Sequence, residues 1–179
     1  MAIRILLLSA AGGSPLPIGG TAPDFAIQPL EGASFAFADA TRSHAAVVVV
    51  FLSVLCPYSN SYEVHLSELD RRFSSRGVLF VGINSNRTET LDEIAAHARQ
   101  AGVAFSMMRD ARNKVADLLG ARVTPEAFVF DREAKLRYRG RVRSKIGSPD
   151  LQDALQAVLD GRPVKTPVAK AFGCTIVRE

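Results

Sequence analysis

Hydrophobic positions along this chain change their period several times, and each change marks an element. Residues 45–53, "AAVVVVFLS", are an unbroken apolar run rich in β-branched residues, which predicts a strand buried on both faces. From Pro57 onward Tyr62, Leu66, Leu69 and Phe73 recur at helical spacing until Gly77, so an amphipathic helix follows directly. "VLFVGIN", residues 78–84, is a second buried strand. Strand, helix and strand together form a βαβ unit, which makes the two strands parallel and adjacent.

The flanking segments extend this unit. Residues 24–38 alternate in "DFAIQ" and "SFAFA" on either side of "PLEGA", the pattern of a short N-terminal hairpin. Thr90 with Glu93 three positions on is a capping box, and Leu91, Ile94, Ala95 and Ala98 give the helix behind it one apolar face before Gly102. "VAFSMMRD" reads as a strand, and Asp110 as the cap of a brief helix carrying Val115, Leu118 and Leu119. "EAFVFD" and "KLRYRG" are strands joined at "DREA", and Ser148 with Pro149 opens a last helix through Leu151, Leu155, Val158 and Leu159 to Gly161. The order predicts an α/β fold of three layers, α/β/α, around a mixed central sheet.

Composition narrows the classes. With 179 residues and 47% hydrophobic positions the chain suits one domain, and no apolar run approaches the roughly 20 residues of a membrane span. We divide it into an N-terminal segment 1–18, a domain 19–161 and a tail 162–179. "MAIRILLLSAAGG" has the order of a secretory leader with a short apolar region and equally suits a leading strand, so cytoplasmic and periplasmic locations both stay open. A net charge of +4 is too mild to indicate nucleic acid, and the one dense basic patch, "KLRYRGRVRSK" at residues 135–145, reads as a solvated edge strand. His44, His65 and His97 lack metal-ligand spacing and read as surface, His65 beside Glu68 and His97 beside Glu93; "NRT" at Asn86 is a chance-prone sequon. No phosphate loop is present, and neither a metal nor another cofactor is expected.

The chemistry lies with two cysteines, Cys56 and Cys174. Cys56 stands where the buried strand hands over to a helix, so its sulfur faces unpaired backbone N–H groups and the positive end of the helix dipole. Such surroundings favour thiolate, the nucleophilic form. Pro57 suits the first helical turn, and Ser59 falls one turn above the sulfur, where its hydroxyl is placed to donate to it. A serine there supports a thiolate but closes no disulfide. The competing reading is a buried, inert cysteine. Cys174 follows Gly161 by 13 residues, a reach of up to about 43 Å against a domain radius of gyration near roughly 16 Å. An internal bridge is within reach, while "AFGCTIV" also suits an extra strand with Cys174 as a small hydrophobe.

"TAPDF", "FLSVLCPYSN", "GVLFVGINSN", "TPEAFVFD" and "LRYRGR" together resemble the thioredoxin-fold redoxins, specifically the peroxiredoxin-like, AhpC/TSA-type proteins, over residues 19–161; "FGCTI" resembles the cysteine-bearing tail of some of them. The resemblance implies a thioredoxin-like sandwich with Thr124 and a cis Pro125 opposite Cys56, and a substrate groove along Pro57, Tyr58, Thr124 and Pro125. It also implies Cys56, Ser59 and Cys174 as the catalytic set, with thiol, disulfide or peroxide substrates and an external thiol as reductant. Three departures matter. The Trp and buried Asp of thioredoxins are replaced by Leu55 and Val50. The Pro and Thr of the peroxidatic motif are replaced by Val49 and Ser53. Where the peroxidatic Arg is expected stand Pro125 and Glu126. The expected activity is thiol-dependent oxidoreduction through Cys56; the alternative is a redoxin-fold binding module without turnover.

Overall fold

The structure, a computed structural model, describes residues 15–32, 34–144 and 147–179; the leader-like run at residues 1–13 lies wholly outside these described residues. Two short strands, β1 (Ala26–Ile27) and β2 (Phe35–Ala36), pair antiparallel as the expected hairpin. The second arm does not stay extended. It turns into α1 (Phe37–Ser43), whose Phe37 stacks on Phe25 at 4.7 Å between ring centroids and meets Phe130 edge-on.

The main sheet is built from β3 (Ala46–Leu52), β4 (Val78–Asn84) and β5 (Ser106–Arg109), then β7 (Glu126–Asp131), β8 (Leu136–Gly140) and β9 (Val168–Ala169). Its order is β5-β4-β3-β7-β8-β9, with β3, β4 and β5 parallel and β7 antiparallel to both neighbours. All seven residues of β3 are buried, because helices cover both faces. Val48, Val50 and Leu52 pack with Leu66, Leu69 and Phe73 of α2 (Pro57–Ser74), Ile94 of α3 (Leu91–Ala101) and Leu151 and Leu155 of α5 (Asp150–Leu159). Val47, Val49 and Phe51 point the other way, onto α1 and onto Val115, Ala116 and Leu119 of α4 (Lys114–Leu119). Each such side chain contributes roughly 1.5–3 kcal/mol by leaving water, so the central strand anchors both halves of the core. This is the mixed-sheet α/β sandwich of the thioredoxin fold.

Several local expectations are corrected. The capping box of α3 forms, but Leu91 is 56% exposed, and Ile94 supplies the helix's buried contact. Asp110 serves α4 from a distance: its carboxylate accepts from the N–H groups of Val115 and Ala116 at 2.9–3.1 Å while Asn113 occupies the cap position. The basic strand β8 is not an edge, since β9 pairs beyond it. Its arginines are held in ion pairs, Arg137 with Asp131, Arg139 with Glu126 and Arg141 with Asp150. Gly140 permits the approach of β9, because a Cβ there would stand 1.8 Å from the Ala169 carbonyl oxygen. His97 bonds Glu63 of α2 at 2.8 Å rather than Glu93, and with His65 it is half-buried rather than solvated. Asn86, the sequon residue, is buried and accepts from the Val177 N–H. Among the described residues no helix is long and apolar enough to cross a membrane.

Candidate active site

Strand β3 delivers its last residues into a tight loop, residues 53–56, and Cys56 is the N-cap of α2. Pro57 occupies the first helical turn, where no N–H is needed, and the Ser59 N–H donates to Cys56 Sγ at 3.4 Å. An 18-residue helix therefore ends its positive dipole on the sulfur. The Ser59 hydroxyl does not face Cys56 as expected. It accepts from the Ser53 N–H at 3.2 Å and ties the loop to the helix it opens.

Opposite the sulfur stands β6 (Val123–Thr124), followed by a cis peptide bond between Thr124 and Pro125. As a thiol, Cys56 donates to the Thr124 carbonyl at 3.1 Å. The chain's tail then closes the site. Strand β10 (Cys174–Thr175) pairs antiparallel with β6, Cys174 against Thr124 and Thr175 against Val123. The tail thus packs as the extra strand that was one of its two expectations, with both cysteines free.

The two thiols influence each other. Burial pushes the Cys56 thiol up, but hydrogen bonds from the Cys174 thiol, Thr124, and the Ser59 and Cys174 N–H groups outweigh it and hold Cys56 below the ordinary thiol value. The Thr124 carbonyl favours the protonated form, so on ionisation Cys56 gives up the one bond it donates and accepts several. Cys174 moves the other way, pushed up to about 11, first because its proton is held on Cys56. When Cys56 is charged, the Cys174 thiol donates to it and is correspondingly slow to give up its own proton.

A buried carboxylate lies behind the loop, at a position the sequence did not flag. Glu89 is 2% exposed, accepts from the Val54 N–H at 2.9 Å and the Leu55 N–H at 3.4 Å, and also bonds Ser53 Oγ and Asn84 Nδ2. Ser53, at the place of the peroxidatic Thr, thus turns to Glu89 and not to the sulfur. Glu126, near the place expected for the peroxidatic Arg, accepts from Arg139 at 3.0 Å and from the Arg122 N–H at 2.9 Å. Among the described residues no guanidinium is one of the groups that shift Cys56. Beside the site runs a groove of about 530 Å³ lined by Tyr58, Tyr62, Pro125, Arg143 and Phe172. Val50, at the place of the thioredoxin Asp, is buried in the sheet, and Leu55, at the place of the Trp, is 70% exposed at the rim.

Residues 18–139 match the AhpC/TSA family. The chain belongs to the AhpC/TSA family. Among solved structures this AhpC/TSA chain is similar to a hypothetical protein of Sinorhizobium meliloti 1021, with 30% identity, 93% of this chain and 97% of that one covered, and a TM-score of 0.83. An uncharacterized conserved protein of Geobacillus kaustophilus is similar at 31% identity, covering 92% and 93%, with a TM-score of 0.83. The thiol-disulfide oxidoreductase ResA of Geobacillus thermodenitrificans is 23% identical over 75% of this chain and 81% of its own length. The chain is therefore a thioredoxin-like redoxin.

Proposed function

We propose that this redoxin is a thiol-dependent oxidoreductase in which Cys56 is the nucleophile and Cys174 the resolving thiol. The observation that carries the reading is that β10 sets Cys174 against Thr124, the residue whose carbonyl accepts from Cys56 Sγ, and that the two thiols are displaced in opposite directions in their ionisation. Toward a disulfide RSSR′, the Cys56 thiolate forms a mixed disulfide with one half and expels R′S⁻. Cys174 then loses its proton and attacks Cys56 Sγ, expelling RS⁻ and leaving Cys56–Cys174. Toward a peroxide ROOH, the thiolate takes one oxygen to become a sulfenic acid while ROH departs. Cys174 condenses with that acid and releases water. Either route ends in the same internal disulfide, which an external dithiol returns to two thiols. Of the expected groove residues, Tyr58 and Pro125 line the groove beside the site and serve as the substrate groove, whereas Thr124 is buried against Cys56 and Pro57 opens the helix without lining it; Ser59 contributes its N–H to the thiolate. The incomplete peroxidatic set argues that peroxide reduction is slow.

The full burial of Cys56 favours a second reading, a binding module without turnover. Repeated oxidation and dithiol reduction of the wild type and Cys56→Ser, followed by mass spectrometry, separates the two. Turnover lost in Cys56→Ser supports the oxidoreductase; a Cys56 that survives a disulfide and a peroxide unmodified supports the module.

A further inference from the structure

The tail that brings Cys174 to Cys56 is attached along its whole remaining length. Ile176 donates its N–H to the Arg122 carbonyl at 3.0 Å and buries its side chain in the core to 2% exposure. Val177 donates to Asn86 Oδ1 at 2.7 Å and accepts from the Arg87 N–H at 3.0 Å. Arg178 donates to the Ala121 carbonyl at 2.7 Å and to Asp117 at 2.9 Å, and the Glu179 N–H reaches Asn113 Oδ1 at 3.0 Å. The edge of β6 facing Cys56 is therefore filled by the chain itself.

The fit at this edge is selective. Gly173 crosses Thr124 so closely that a Cβ would lie 1.8 Å from its carbonyl oxygen, 2.6 Å from its carbonyl carbon and 3.2 Å from the Pro125 nitrogen. Those are backbone atoms, which cannot swing aside. A peptide taking the same register with a cysteine opposite Thr124 would need glycine just before that cysteine, and it would first have to lift Ile176 out of the core. A two-oxygen oxidant needs neither.

We propose that residues 172–176 are a tethered stand-in for a peptide substrate, with Gly173 the specificity-determining residue, so that Cys56 is screened from peptide-borne disulfides while small oxidants, however slowly they react, are not excluded by this edge. This rests on the reading of Cys56 as the nucleophile and narrows its substrate class. The tail's cysteine occupies the position a substrate cysteine would take, at the high effective concentration that tethering confers. Oxidation then proceeds as above: peroxide oxygen to Cys56, water released by Cys174, and the disulfide reduced by an external dithiol.

The test compares the rate of Cys56 modification by hydrogen peroxide and by a ten-residue peptide disulfide in the full-length wild type, Gly173→Ala and Cys174→Ser, each checked for cooperative unfolding. Gly173→Ala displaces the tail from β6 and is expected to raise the peptide-disulfide rate at least tenfold while changing the peroxide rate less than threefold. Cys174→Ser keeps the glycine contact, so it retains the wild-type preference for peroxide. Should Gly173→Ala not fold, Arg178→Ala releases the far end of the same tail at the surface and is expected to move the peptide rate upward by a few-fold. Equal peptide rates in the wild type and a folded Gly173→Ala, or in the wild type and Arg178→Ala if that variant stands in, overturn the stand-in. A Cys56 that takes neither reagent in any folded variant overturns the nucleophile reading, and this inference with it.

Discussion

Cys174 is the direct ladder partner of Thr124, the residue whose carbonyl accepts from Cys56 Sγ at 3.1 Å. A strand of two residues thus joins cysteines that lie 118 positions apart in the chain (174 − 56 = 118). Because both are held by one folded unit, stoichiometric oxidation should yield a Cys56–Cys174 disulfide within the chain, in a proportion unchanged by dilution. Non-reducing peptide mapping reads this directly. A bridge between chains, or sulfinic acid on Cys56 with Cys174 still free, would remove Cys174 from the resolving role.

The pH profile follows from the opposite shifts of the two thiols. Cys56 is held below its ordinary value of 9.0 in spite of burial, and the Cys174 thiol is the first of the groups that hold it there. The alkylation rate of Cys56 should therefore reach half-maximum below pH 9.0, and Cys174→Ala should move that midpoint up, since burial then meets weaker opposition. Stability has the opposite signs for the two thiols. The depressed Cys56 contributes stability that is present above its unfolded value and lost as pH falls through its folded one. Cys174, raised from 9.0 to about 11, contributes stability that is complete below 9.0 and lost as pH rises toward 11. The reduced wild type should lose more melting temperature between those two pH values than Cys174→Ala does. Parallel curves for the two proteins would show that the Cys174 proton is not held in the fold.

What was legible in the sequence is what local period controls. Residues 45–84 read correctly as strand, helix and strand because β3 and β4 are covered on both faces and α2 carries Leu66, Leu69 and Phe73 on one. Helix α1 was missed because "SFAFA" alternates into it, and its N-cap, Ala36, offers no side chain to mark the change. The tail's pairing depends on β6, fifty positions away (174 − 124 = 50), and two residues carry no period that specifies a partner. The ladder also explains why Gly173 precedes the cysteine, a requirement visible only once Thr124 is opposite. Glu89 was hidden for a related reason: its hydrogen bonds to the Cys56 loop span 34 to 36 positions, and nothing beside it in the chain distinguishes it from a solvated acid.

Glu89 should matter to both stability and reactivity. It accepts from two loop N–H groups, the Ser53 hydroxyl and the Asn84 amide, all by charge-assisted bonds. In Glu89→Gln an NH₂ must face at least one of those donors, which leaves a buried group unsatisfied at a cost of about 2–3 kcal/mol. Denaturant unfolding should show that loss, and the looser loop should slow Cys56 modification by peroxide. An unchanged unfolding midpoint would mean that Glu89 is not what fixes the loop.

Ser59 provides the sharpest contrast with a C-x-x-C redoxin. It is fully buried one turn from Cys56, with its N–H on the sulfur and its hydroxyl accepting from Ser53. In Ser59→Cys a second thiol stands at the helix start, where it can attack a mixed disulfide on Cys56 without any movement of the tail. Oxidised Ser59→Cys should therefore contain a Cys56 to position 59 disulfide in competition with Cys56–Cys174, and adding Cys174→Ser should leave only the former. The weaker acceptor at position 59 costs the Ser53 N–H its bond, so stability should fall by about 1 kcal/mol. Insulin reduction with excess dithiol should rise above the parent in Ser59→Cys and stay below that of a thioredoxin, because Val50 stands where the buried acid would assist the second thiol and because the tail still covers β6. The gain should be larger in Ser59→Cys combined with Gly173→Ala, where the edge is open as well. If the new disulfide forms but neither variant reduces insulin faster than the parent, resolution is not what limits the site, and the binding module becomes the better account of this redoxin.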